Sequence, residues 1–505
     1  MDKQNYGRNV LIVASLTVLS KLIAVIRQIV LTYYFGATNI SDAYILAQTI
    51  PNSLFLLVSS AIGVSFIPVF NKVKQDKGND EAELFTSRII KAVIFIASAI
   101  VLLTLIFSRQ IIFVFASGFE QETATLSAKY LRISIFSVYF IGMCGVLSSY
   151  LKIKGNYFSP SLTGIILSFV EIATCIIAYY FSDIFLAIGL SLAAISQFLI
   201  LLVSSVKKGF RFHISASIRD DSLKHSIVMA LPIMIGLGVD EINVIVDRTI
   251  ASGFQEGSIS VLNYANTLVT IAHNIITVSI YTVLFTDVSA LAAKNNKALI
   301  GEKITNALNT SLLFLFPATM GMIIFSYPIV KVLYERGNFT TNTTYLTSIA
   351  MVFYSLYLVP NGIRMISQAY FYAYGKTRFC MAVSFISVAV NIILNIILSR
   401  IMGIYGLALA TSIGVAVGAI ILFIKLSKEG LKLSTRIMIK KVAIILLNTI
   451  VMAASSYTLY LYLVEKINII FCLLICIIIA ISIYLVLSII TKVIDKQVIL
   501  HFFRK

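Results

Sequence analysis

A chain of 505 residues that is 59% hydrophobic and 12% charged, with a mean hydropathy of +0.95, lacks the polar surface a water-soluble globule needs. Its formal net charge of +18 would suit a nucleic-acid binder in a soluble protein. Here the Lys and Arg fall in alternate loops between apolar stretches, which membrane topology explains and nucleic acid does not. The stretches are about 20 residues long, the length that crosses the hydrocarbon core as helix, whereas barrel strands would be about 10 residues long and alternate in polarity. The fold class read from this pattern is an all-α integral membrane protein.

In chain order, hydropathy predicts helices near 9–35, 42–69, 88–108, 129–151, 159–181, 185–206, 226–251, 258–290, 304–327, 344–373, 379–399, 404–426, 441–463 and 467–491, about fourteen spans. The segment from Val10 to Gly36 is too long for a cleavable signal peptide and lacks a small-residue cleavage site. Basic residues collect in loops of one parity: Lys72, Lys74, Lys77 and Arg88; Lys152 and Lys154; Lys207, Lys208, Arg211, Arg219 and Lys224; Lys294, Lys297 and Lys303; Lys376 and Arg378; and the run Lys425 to Lys441. Loops of the other parity, 36–41, 182–184 and 252–257, are short and nearly free of Lys and Arg. The positive-inside rule then predicts a multi-pass membrane protein with both termini in the cytoplasm. The five cysteines lie in or beside apolar segments with no metal-ligand spacing, and in the absence of Trp the interfacial aromatic belt falls to Tyr.

The chain repeats itself. Phe115–Gly118 with Tyr139, Tyr150 and Gly155 returns as Tyr334–Gly337 with Tyr357, Tyr370 and Gly375, and Ala47-Gln48-Thr49 returns as Ala265-Asn266-Thr267. Both copies start on the same side, so the repeat is parallel, and transporters so built carry substrate between lobes near the midplane. The expected domains are a six-helix lobe over 1–215, a second over 222–427, two additional helices within 441–491 and a cytoplasmic tail over 492–505.

A charge in the bilayer core costs at least about 2.5–3.5 kcal/mol, so each one needs a reason. The first helix carries Lys21 and Arg27, Asp42 opens the second, the seventh carries Asp240, Glu241, Asp247 and Arg248, and Arg364 follows Pro360-Asn361-Gly362 in the tenth. Glu171 and Asp287 read as structural or interfacial, and His273 as a satisfied interior histidine. Cations facing a cavity suit an anionic substrate, Arg by bidentate hydrogen bonds to phosphate and Lys by point charge.

Ser20-Lys21 followed by Arg27, then Phe35-Gly36, Asp42-Ala43-Tyr44, Pro51-Asn52 and Phe66-Ile67-Pro68, resembles the opening of the MurJ (MviN) lipid II flippases. These belong to the multidrug/oligosaccharidyl-lipid/polysaccharide exporter superfamily. Gly257 to Ser260, Tyr264-Ala265, Tyr334 to Thr340 and Gly406 to Ser412 continue the likeness over nearly the whole chain. The resemblance implies a MurJ-like fold of two six-helix lobes plus two C-terminal helices. It also implies a cationic cavity for a pyrophosphate–sugar headgroup, and a groove along the last two helices for a polyprenyl tail.

The implied substrate-facing residues are Lys21, Arg27, Asp42, Asn52, Thr267 and Arg364. Lys21 stands where the family has its first cavity arginine, and Thr267 and the neighbourhood of Phe55 stand where it has two others. The family's Glu-Gly-Ala triplet becomes Ser59-Ser60-Ala61, and the acid after its second arginine becomes Gln28. Some relatives bind sodium, and the matching positions are Asp247, Asn391, Asn395, Leu407 through its carbonyl, and Thr411. Asn395 replaces an aspartate there.

The implied function is outward flipping, by alternating access, of an undecaprenyl-pyrophosphate-linked precursor, lipid II. The partners are the glycolipid and the bilayer, with no nucleic acid, a monomeric state, no cofactor unless Na+, and no catalytic residues. The alternatives are a Wzx-like flippase for another lipid-linked glycan and a small-molecule or cation antiporter of the same superfamily. A polytopic glycosyltransferase would need sizeable outward loops, which this chain lacks.

Overall fold

The computed structural model describes residues 3–213, 221–431 and 435–493; some side chains within helices, Asp240 and Ser59 to Ala61 among them, fall outside the description. The described chain is helical apart from short turns: α1 (Lys3–Phe35), α2 (Asn39–Lys77), α3 (Asn79–Phe115), α4 (Gln121–Ser134), α5 (Ser137–Ile153), α6 (Phe158–Tyr180), α7 (Ile184–Lys207), α8 (Asp221–Ala251), α9 (Ser258–His273), α10 (Ser279–Ala293), α11 (Lys297–Ile324), α12 (Ser326–Tyr334), α13 (Thr341–Ser355), α14 (Leu358–Ala373), α15 (Thr377–Met402), α16 (Ile404–Ser427), α17 (Thr435–Leu463) and α18 (Ile469–Ile490). A single π turn, Asn274–Val278, joins α9 to α10. Among the described residues, eleven helical stretches are long and apolar enough to cross a bilayer, or twelve if α4 and α5, bent by 44°, form one span.

Several helices run beyond the spans expected from hydropathy. α3 starts nine residues before 88 and α11 seven before 304. Hydropathy marks only the bilayer-length part, and a helix continues into water because its backbone hydrogen bonds are internal. Spans expected to be continuous at 129–151 and 304–327 instead break, at Ile135–Phe136 and at Phe325.

The chain forms two compact units. The first holds Met1–Ser260 with Arg336–Phe339, and the second Val261–Glu335 with Thr340–Lys505. In the first, α2 packs against α3, α4, α5 and α8, which is why α8 belongs to this unit. Its core is aromatic: Phe66 stacks on Phe85 at 5.7 Å between centroids, and Tyr150 meets Phe70 and Phe210 edge to face. In the second unit α15 and α16 pack most closely. A Cβ at Gly414 would meet the Ser387 carbonyl and one at Gly418 the Ser387 hydroxyl, the small-residue contact that drives helix association in lipid. α17 and α18 pair with each other and dock on α11 and α12, where Tyr484 donates to the Leu313 carbonyl at 2.6 Å and Cys472 and Cys476 pack beside Phe325.

The sequence repeat is repeated in backbone geometry within each unit. α3 kinks at Phe107 (φ −104°, ψ 22°), and α11 ends at Phe325 in the same conformation (φ −103°, ψ 15°). Gly155 and Gly375 both turn with positive φ, +76° and +66°. In each turn the next residue's N–H closes back on a carbonyl of the helix just ended, Asn156 on Leu151 at 2.8 Å and Lys376 on Phe371 at 2.8 Å. Each turn also carries a tyrosine–carboxylate–lysine cluster. Tyr150 and Lys154 both donate to Glu83 at 2.9 Å, and Tyr370 and Lys376 both donate to Glu429.

Candidate functional site

α1 and α6 run parallel in a seven-residue register. Gly164 admits the Ser20 side chain, Arg27 meets Glu171 seven residues on, and the Tyr34 and Tyr179 rings lie 4.7 Å apart beyond that. Arg27 donates from Nη1 to Glu171 Oε2 at 2.6 Å, and Tyr44 reaches the same oxygen at 3.5 Å. Glu171 is buried and Arg27 keeps 22% of its side chain exposed. The carboxylate thus neutralises one side of the guanidinium while part of it stays accessible. Sequence reasoning set Glu171 aside. Its cost in an apolar helix marked it as needing a partner, but the partner lies 144 residues away and only the α1–α6 register identifies it.

Lys21 is exposed, in a groove of about 290 Å³ that it lines with Thr17, Ser20, Lys152, Ser161 and Thr163. It therefore lies level with the start of α6, and two ammonium groups share this groove with the hydroxyls of Thr17, Ser20, Tyr157, Ser161 and Thr163. Asn52 is exposed on α2 and donates back to the Gln48 carbonyl at 2.8 Å.

Asp42 is buried and takes a different part from an open cavity lining. Its Oδ1 accepts from the Ser260 backbone at 2.7 Å and from the Ser260 hydroxyl at 2.5 Å, and its Oδ2 accepts from the Gly257 backbone at 3.0 Å. It sits in the first turn of α2, where Ser41 Oγ accepts from the Thr38 backbone, and it also caps the first turn of α9. One carboxylate between two helix N-termini is favoured by both dipoles and by the otherwise unsatisfied N–H groups. Close backbone contacts extend this knot. Gly257 has φ +81° against the Ala37 carbonyl, Asn338 donates to the Tyr33 carbonyl at 2.9 Å and the Tyr34 carbonyl at 2.6 Å, and Glu256 accepts from the Asn39 backbone at 2.7 Å. The turn after α8 and the segment 336–339 thereby join the α1–α2 turn in the first unit.

In the second unit Arg364 donates to Ser384 at 3.1 Å, and Thr267 bonds back to the Asn263 carbonyl of its own helix at 2.7 Å. His273, buried, pairs through Nε2 with Asn361 at 3.1 Å. The four expected sodium positions in this unit assemble into one chain. Asn395 donates to Asn391 Oδ1 at 2.8 Å, Asn391 to Thr411 Oγ at 3.4 Å, and Thr411 to the Leu407 carbonyl at 3.0 Å. The Asn391 amide oxygen, the Thr411 hydroxyl and the Leu407 carbonyl are neutral and already accept N–H or O–H donors, and none of the four residues is a carboxylate, so the set as it stands does not fit a hard cation, which gathers anionic oxygens. Asp247 belongs to the first unit, where Asn243 approaches it at 3.4 Å. No cluster of three His, Cys, Asp or Glu with metal-holding geometry occurs among the described residues.

An apolar groove of about 420 Å³ opens in the second unit. Leu312 and Phe316 of α11, Pro360 and Ile363 of α14, and Ala416 and Phe423 of α16 line one side, and Met438, Ile439 and Val442 of α17 close it. Its walls carry methyl, methylene and aromatic carbon, the surface complementary to an acyl or isoprenoid chain.

The family model described as "Lipid II flippase MurJ" matches residues 31–478. The probable lipid II flippase MurJ of Rickettsia prowazekii is 30% identical over 420 residues, covering 80% of this chain and 81% of that protein. The lipid II flippase MurJ of Thermosipho africanus is 29% identical, covering 83% and 86%. Among solved structures, a lipid II flippase MurJ in an inward closed conformation matches with a TM-score of 0.84 at 29% identity, over 95% of this chain and 98% of that one. An inward-facing multidrug transporter of the MATE family matches with a TM-score of 0.70 at 15% identity, a likeness of fold.

Proposed function

The chain belongs to the MurJ family of lipid II flippases, and from that premise we propose that it carries lipid II, an undecaprenyl-pyrophosphate-linked peptidoglycan precursor, from the inner to the outer leaflet. It is a multi-pass inner-membrane transporter and not an enzyme. α2 and α8, 39 and 31 residues long, are taken as the crossings that complete about fourteen, with both termini cytoplasmic. The protein acts as a monomer and moves its substrate by alternating access between the repeated lobes.

The observation that carries this reading is the apolar groove closed by α17. α17 and α18 lie outside the repeat, and an antiporter of small solutes has no use for an apolar groove that one of these added helices closes beside its second lobe. Lipid tails are already out of water, so the groove contributes shape and orientation more than transfer energy. The headgroup is assigned to the cations of α1. Lys21 with its neighbouring hydroxyls, and the accessible side of Arg27, offer charge-assisted hydrogen bonds to pyrophosphate. Glu171 keeps the guanidinium oriented when no anion is present. Asp42 is assigned a holding role within the first unit, tying Gly257 and Ser260 to α2.

The test is mass spectrometry of lipids that co-purify with the intact protein, followed by flipping of labelled lipid II in proteoliposomes. Enrichment of a polyprenyl-pyrophosphate glycan and its outward movement are expected. A different lipid-linked glycan in the purified protein would favour the Wzx-like reading, which Thr267 in place of a family arginine also supports. Transport of a soluble cation with no lipid movement would refute both.

A further inference from the structure

At one end of the second unit, where α14 ends, α15 begins and α16 ends, lies an open pocket of about 600 Å³. Lys376, Arg378 and Lys425 line it, with Glu429 at its edge and Phe371 and Phe379 as an aromatic floor, their centroids 5.0 Å apart. Lys376 donates to Glu429 and holds its carboxyl below the usual carboxylate range. Among the described residues, no carboxylate lies within 4.0 Å of the Arg378 or Lys425 head groups.

The placement of these charges is electrostatically wrong for a bare helix. α15 is 26 residues long, its N-cap is Lys376, no side chain caps it, and its first turn contains no acid. A helix N-terminus carries about half a positive charge and favours Asp, Glu, Ser or Thr there. This one instead presents Lys376 and Arg378 at its positive end, with Lys425 across the pocket. Uncapped N–H groups, three cations and a single carboxylate leave an excess of positive potential that an anion would relieve. The floor residues Phe371 and Phe379 belong to the spanning helices α14 and α15, so the pocket suits an anion attached to hydrocarbon.

We propose that this pocket binds the phosphate-bearing headgroup of an anionic phospholipid of the inner leaflet, its acyl chains lying along the outer faces of α14 to α16. The site is distinct from the groove closed by α17, and its assignment to the inner leaflet rests on the orientation proposed above. Basic pockets between spans on the cytoplasmic side are the usual form of such lipid sites. The positive-inside rule alone would also place cations here, so the test separates a built pocket from diffuse charge.

The full-length protein, purified in mild detergent, is titrated with phosphatidylglycerol or phosphatidylcholine and read by native mass spectrometry, as wild type and as the double variants R378Q/K425Q, R378K/K425R and K207Q/K208Q. The last removes the same charge from exposed lysines at the end of α7. Wild type should prefer phosphatidylglycerol. R378Q/K425Q should weaken that binding about tenfold or more at about 1 kcal/mol per basic residue, while the conservative and α7 variants stay close to wild type. Thermal unfolding of each variant confirms that it is folded, and R378K/K425R keeps the test meaningful if the neutral variant is unstable. Equal weakening in R378Q/K425Q and K207Q/K208Q overturns the proposal. So does displacement of the lipid by excess inorganic phosphate, which would make this a site for a soluble anion. Because flipping is not the readout, failure here leaves the proposed transport standing.

Discussion

Arg27 and Glu171 lie 144 residues apart in the chain and meet at 2.6 Å, one heptad beyond the contact of Ser20 with Gly164 along parallel helices α1 and α6. The pair gives Arg27 two roles that single substitutions cannot separate. Arg27→Ala leaves a buried carboxylate uncompensated, at a cost of about 2–3 kcal/mol after allowing for the exposed part of the guanidinium. The double variant R27Q/E171Q removes both charges and should recover most of that stability. If Arg27 also holds pyrophosphate, the double variant still fails to complement a flippase-depleted strain at normal protein levels. Full complementation would reduce Arg27 to a structural ion. Lys21→Arg should be tolerated, since it keeps the cation in an open groove.

Asp42 fastens α2 to the start of α9 through three hydrogen bonds. Asp42→Ala should lower thermal stability in detergent by about 2 kcal/mol, the upper end of what loss of an N-cap costs. Ser260→Ala removes the hydroxyl bond and keeps the backbone one, so its loss should be about half as large. Equal stability of Asp42→Ala and wild type would show that the knot contributes nothing to the fold.

Gly257 and Gly155 separate backbone conformation from close approach. Both have positive φ, but a Cβ on Gly257 would strike the Ala37 carbonyl whereas one on Gly155 meets nothing within 4 Å. Gly155→Ala should cost about 1 kcal/mol, the left-handed penalty alone. Gly257→Ala should cost clearly more and should also impair flipping. Equal costs, read from unfolding midpoints, would mean that the α1–α2 turn yields freely.

Transport should not require sodium. The second-unit candidate ligands are neutral and bonded to one another. Outward movement of an anionic headgroup is favoured by about 2.3 kcal/mol per charge per 100 mV of inside-negative potential. Proteoliposomes at clamped potential, with and without sodium, measure this. Strict sodium dependence, abolished by Asp247→Ala, would restore the ion site.

The apolar groove should read substrate chain length. Ala416→Phe adds an aromatic ring to its wall and should slow flipping of an undecaprenyl substrate severalfold while sparing a short-chain analogue. Single swaps such as Ile439→Leu should be nearly silent, because volume-conserving apolar changes cost less than about 1.5 kcal/mol. Deleting 441–505 should leave a core that no longer flips the long-chain substrate. Loss of activity on long and short chains alike in Ala416→Phe would point to a packing defect in place of a tail site.

Hydropathy and charge period were sufficient for the membrane and the helical class, and matched residues at a nearly constant offset for the repeat. The first two depend on local composition, and bilayer thickness converts composition directly into span length. The repeat pairs Phe115 with Tyr334 and Gly155 with Gly375, and near them the structure shows matching kinks and turns because equivalent residues meet equivalent local sterics. The break between α4 and α5, the early start of α3 and the π turn after His273 were not legible, since hydropathy averages over the few residues that decide them.

The sequence by itself marked Lys21, Arg27 and Asp42 as charges that the bilayer makes expensive, and read Glu171 as structural or interfacial. Which of them is open, paired or buried was decided only when α1 met α6 and α2 met the first turn of α9. An ion's solvation and partners depend on distances of a few ångströms between residues that the chain separates by 144 or 218 positions. Composition can show that a charge needs a partner, and tertiary packing supplies it.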